Sequence, residues 1–167
     1  MESTDTRPML NQALREAVDF IHAEGWDQVH PTLFGLVPSE LLIDALPDPL
    51  DASPLTLVVQ DFPDNVAAGT DEVVEYLSRV VWPEGVVGAI LAQEILFRDT
   101  NDPQSGPQRA RLYSGALAQG VTATLLQLRP TGDGLFAEDE YVLRGGPEIA
   151  PELEDVLVFS LNQTLID

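Results

Sequence analysis

Apolar positions near the start of the chain recur at helical spacing. Leu10, Leu14, Ala17, Val18 and Ile21 share one face of residues 8–24, while Glu16 and Asp19 fall elsewhere. This predicts an amphipathic helix from Pro8 to a stop at Gly25. Residues 33–37 (LFGLV) then form a short apolar run between Pro31 and Pro38, which predicts a buried strand. Ser39 is placed to cap a brief helix over 40–46, closed by Pro47 and Pro49, and 48–54 reads as a loop. A second strand is expected over 55–61, with a turn at 62–65. Thr70 is expected to cap a third helix, with Asp71 and Glu72 at its positive end. Val73, Val74, Leu77, Val80 and Val81 lie on one side of it, and Trp82-Pro83 stops it.

Three longer extended segments follow, at 86–98, 109–118 and 121–129. Gln119-Gly120 separates the last two and predicts a tight hairpin with the glycine at positive φ. The connection 99–108 holds two prolines and a glycine and reads as a loop, as does 131–140; 141–143 is a strand remnant. Pro151 opens a C-terminal helix with acids in its first turns and Leu153, Val156, Leu157, Leu161 and Leu165 on its apolar positions. The order α-β-α-β-α-β-β-β-α predicts an α+β fold: one domain over 1–167 with a flexible lead at 1–7. Its antiparallel or mixed sheet of about five strands carries the helices, the last of them C-terminal.

The 167 residues, 44% of them apolar, are enough for a real core. The 28 acids against 8 arginines give 8 − 28 = −20, a charge that makes nucleic acid and bare anionic membrane poor partners. It fits either simple solubility or a face for a basic protein partner. Lys and Cys are absent, which excludes a Walker lysine, a Schiff base, a thiolate nucleophile, a zinc knuckle and disulfides. The acidic start lacks a signal-peptide pattern and no apolar stretch approaches the ~20 residues of a membrane span, so the expected compartment is the cytoplasm.

Catalytic patterns do not assemble. His22, Asp27 and His30 lack a metal-ligand spacing, and His22 is expected to meet the last carbonyls of the first helix. Ser114 sits inside a strand without a G-x-S-x-G elbow. Asp99-Thr100-Asn101-Asp102 opens like a calcium loop, but Gln104 and Ala110 occupy the positions that need Gly and Glu. No catalytic residue, cofactor or metal is therefore assigned. What remains is a candidate binding surface of Trp26, Asp27, Trp82, Arg109, Arg111 and Tyr113. Arg109, Arg111 and Tyr113 alternate along one strand face, where they would either recognise an anion or pair with nearby carboxylates and cover apolar surface.

Four segments carry a resemblance. They are Gly25-Trp26-Asp27-Gln28 with 31–37; Trp82-Pro83-Glu84-Gly85-Val86-Val87-Gly88-Ala89 on to Glu94; Arg111 and 115–117 with Gly120 and 125–130; and 146–153. Together they make the chain similar to a family of uncharacterised small acidic actinobacterial proteins. A GC-rich genome agrees with the use of Arg alone. The resemblance implies no activity. Two functions are expected to compete. One is a non-enzymatic interaction module or chaperone-like adaptor for a protein partner, for which a homodimer is allowed. The other is a small-molecule binder or hydrolase using clustered carboxylates and arginine in a cleft near Trp26.

Overall fold

The computed structural model describes residues 7–25, 30–38, 55–63, 65–68, 70–83, 85–97, 108–128, 143–145 and 151–162. Helix α1 (Arg7–Glu24) leads into β1 (Thr32–Pro38) and β2 (Leu55–Gln60), followed by α2 (Asp71–Leu77). Strands β3 (Gly88–Phe97), β4 (Gln108–Leu117), β5 (Thr122–Leu128) and β6 (Leu143–Gly145) precede α3 (Pro151–Leu161). The six strands make one sheet in the order β2-β1-β3-β4-β5-β6, and each neighbouring pair runs antiparallel. The fold is α+β, with the expected β3-β4-β5 meander at its centre.

Helices cover both faces of this sheet. On one face α1 buries Leu10, Leu14, Val18 and Ile21 against Phe34, Leu36, Ile90, Tyr113 and Leu117. On the other, α2 and α3 bury Val73, Leu77, Leu153 and Leu157 against Leu33, Leu91, Leu112 and Leu126. Alternate residues of each strand therefore feed two separate cores, and each large apolar side chain so buried contributes about 1.5–3 kcal/mol. Double coverage explains why β3 reads Ala-Ile-Leu-Ala without polar alternation.

The helix stop at Gly25 is realised: its φ is 94° and its N–H donates to the carbonyls of Ile21 and His22 at 3.2 Å. Gly120 takes φ 108° in the hairpin, where its N–H donates to Leu117 O at 2.9 Å. Elsewhere the expected boundaries shift. Thr70 does occupy the N-cap of α2, but its hydroxyl donates back to Ala67 O at 2.8 Å and makes no side-chain cap. Helix α2 ends at Leu77 and does not continue to Val81. The Ser78 hydroxyl bonds Glu75 O at 2.7 Å, and the following turns free Trp82 to enter the core while Val81 faces outward. Strand β3 begins at Gly88, two residues later than expected, and the remnant near Leu143 is a paired sixth strand. The helix expected over 40–46 and the loops at 48–54 and 131–140 lie outside the described residues, as does 99–107 of the loop expected over 99–108, whose last residue Gln108 instead opens β4.

Candidate functional site

The face beneath α1 carries a row of polar side chains across three strands. Register places Glu94 of β3 opposite Arg111 of β4, and Arg111 opposite Gln127 of β5. Arg109 and Tyr113 flank Arg111 at spacing two, so the pleat turns all three toward α1. The row is buried: Arg111 is 1% exposed and Glu94 6%.

Hydrogen bonds fix its chemistry. Tyr113 OH donates to Gln127 Oε1 at 2.7 Å, and Arg111 Nη1 donates to the same oxygen at 3.3 Å. The amide oxygen thus faces both donors, and Gln127 Nε2 finds no acceptor among the described residues. Arg111 Nη1 also lies 3.3 Å from His22 Nδ1. Because a guanidinium only donates, a hydrogen bond across this contact has Nδ1 as its acceptor. Arg109 Nη1 stands 3.6 Å from Glu94 Oε1, an ion-pair distance beyond a hydrogen bond. The cleft beside this row, bordered by Ile21, His30, Thr32, Ala92, Glu94 and Arg111, holds only about 10 Å³. Among the described residues that is the volume of roughly one water.

The opposite face holds Trp82. Its indole Nε1–H donates to Ser160 Oγ of α3 at 3.0 Å, and Ser160 Oγ donates onward to Leu157 O at 2.8 Å. The ring lies against β1 where residue 35 is glycine; a Cβ there would meet Trp82 Cζ3 at 3.2 Å. Farther along this face Thr124 donates its hydroxyl to the Glu154 carboxylate, which explains how an acid in the first turn of α3 is buried. Ser114 stands opposite Thr124, and its Oγ has no partner among the described residues.

Beside Trp82 a cleft of about 310 Å³ opens between the end of β2 and the segment after α2. Leu33, Tyr76, Val80 and Trp82 form apolar walls, and Asp61 and Arg79 provide charges. Tyr76 is held there by an edge-on contact with Phe62, centroids 4.8 Å apart.

The residues proposed from sequence thus divide. Arg109, Arg111 and Tyr113 lie on one face of β4; Arg111 and Tyr113 are buried there, and Arg109 is half-exposed. Trp82 lies on the other side of the sheet from them, and Trp26 and Asp27 lie outside the described residues. Sequence reasoning passed over Glu94, Gln127 and Ser160; the signal was a polar residue set inside an apolar run, as in Gln93-Glu94 and Leu126-Gln127. It also placed His22 against helix carbonyls, whereas its Nδ1 meets Arg111. Among the described residues no group of three or more His, Asp or Glu could hold a metal, and no helix is long and apolar enough to cross a membrane.

A family model described as PPA1309-like protein matches residues 10–162. The chain belongs to this family. The PPA1309-like match reaches from the first buried leucine of α1 to Asn162, just beyond α3, so it takes in all six strands and both cores. The resemblance to an uncharacterised family is met at that level, since the PPA1309-like description names no reaction or ligand. No curated protein and no solved structure matches the chain.

Proposed function

We propose that the chain is a non-enzymatic binding module that takes part of another protein at the Trp82 cleft and the adjoining strand β2. The observation that carries this reading is the cleft itself: about 310 Å³, walled by Trp82, Tyr76 and Leu33, and bordered by the exposed Val81. Aromatic side chains bordering a concave site of mixed polarity, here with Gln60, Asp61 and Arg79, are what partner side chains pack on at protein interfaces. The buried polar row on the other face supports the same reading, since Arg111 is held by Gln127 and His22, Arg109 stands at ion-pair distance from Glu94, and the described cleft admits about one water. The cytoplasm, expected from the sequence, belongs to this proposal.

Panning a library of random peptides on the protein tests it. A peptide family should be selected whose affinity falls about tenfold or more in Val81→Arg, a surface change that leaves the circular dichroism intact. Selected peptides that bind Val81→Arg as well as the original protein, or no selected family at all, would overturn the reading.

A further inference from the structure

Strand β2 lies at the end of the sheet order and, among the described residues, pairs with β1 alone. Edge strands are ordinarily guarded by lysine, inward charges, proline or a bulge. Leu57-Val58-Val59-Gln60 has none of these: it is uncharged, β-branched at Val58 and Val59, and continuous in register with β1. Val58 is 39% exposed on one face and Val59 53% exposed on the other. The Val58 carbonyl is bonded by the Gln60 side chain of its own strand at 3.0 Å. The strand ends at Gln60 and Asp61, which line the Trp82 cleft.

We propose that the β2 edge accepts a basic, extended segment of a partner protein as a seventh strand. The inference rests on the interaction-module reading and names the partner's chemistry. Extended shape follows from the edge: apart from the Val58 carbonyl, which Gln60 already bonds, its main-chain groups along Leu57–Gln60 are laid out for the ladder of a further strand. Alternate side chains of that strand fall toward the cleft, where an apolar one meets Trp82 and Tyr76. Basic charge follows from how the protein uses its own cations. Arg111 is buried, Arg109 meets Glu94, Arg79 pairs with Glu75 at 3.2 Å, and Arg7 donates to Thr122 O at 2.9 Å. With 28 acids and a net charge of −20, the field outside the molecule is anionic. The same field opposes a second copy of this chain at the edge and favours a cationic segment.

The test uses fluorescent peptides in which Arg alternates with Val, Leu or Tyr, a matched pool with Glu in place of Arg, and an Arg pool N-methylated at alternate backbone nitrogens. The Arg pool should bind, weaken several-fold as salt is raised, and slow amide exchange in β2; the Glu and N-methylated pools should not bind. Val59→Lys, on an exposed position, should abolish binding without altering the circular dichroism. Equal binding of the Glu or N-methylated pool overturns strand addition by a basic segment, as does unchanged exchange in β2. If the Arg pool binds without protecting β2 yet loses affinity in Val81→Arg, the module reading stands and the strand addition fails. If neither charge of peptide binds, the strand addition fails; if panning is empty as well, the module reading falls with it.

Discussion

Arg111 is a cation held where water does not reach, and its neighbours show what keeps it there. Across the strands it faces the Glu94 carboxylate on one side and the Gln127 amide oxygen on the other, with His22 Nδ1 above. Removing one of two neighbouring buried charges leaves the other uncompensated in low dielectric, which costs about 3–5 kcal/mol. Arg111→Met should therefore destabilise the protein by roughly that amount in urea unfolding, whereas Arg111→Met combined with Glu94→Leu should recover much of it. A single-substitution loss under about 1 kcal/mol would show that the row is not a coupled unit. Gly88 is constrained by shape alone. A Cβ there would stand 2.8 Å from Ala116 O and 2.7 Å from Leu117 Cδ2. Because one of these atoms is backbone, Gly88→Ala should cost about 1–3 kcal/mol by forcing β3 and β4 apart at their paired ends, visible as a lower urea midpoint.

At the scale of elements, α3 is tied to the chain after α2 by the Trp82–Ser160 hydrogen bond. Ser160→Ala would leave a buried indole N–H without its acceptor, so a loss of about 1–3 kcal/mol is expected, with a change in tryptophan emission before global unfolding. Unchanged stability and emission would mean that packing alone holds α3. This contact also marks what could be read from the residues in order. Helix α1 and the β4-β5 hairpin were legible because 3.6-residue periodicity, Gly25 and Gly120 are local signals. The end of α2 was not, because Val80 and Val81 suit a helical face and only the demand of Trp82 for the core pulls the chain out of it. The insertion of β1 beside β3 was equally hidden, since pairing between distant strands is decided by tertiary packing. Of the candidate site, the shared face of Arg109, Arg111 and Tyr113 follows from spacing two. Burial of that face does not, because strands covered on both sides carry no polar alternation to say which residues see water.

The whole molecule carries −20 on 167 residues, with many arginines drawn into internal contacts. Self-repulsion on this scale opposes the compact state and is screened by salt. The melting temperature should therefore rise when sodium chloride is increased from about 10 mM to several hundred millimolar; a fall measured by calorimetry would show that favourable ion pairs dominate. The placement of α1 has a further consequence for the way the chain comes off the ribosome. This helix is made before the strands it packs on, yet its apolar face closes on β3, β4 and β5, and Arg7 reaches a carbonyl 115 residues downstream. At a synthesis rate of about 5–20 residues per second, the helix waits roughly 6–20 s for the strands that cover it. Throughout that interval Leu10, Leu14, Val18 and Ile21 form an exposed amphipathic stripe on the nascent chain, where a ribosome-associated holding factor has its opportunity to bind.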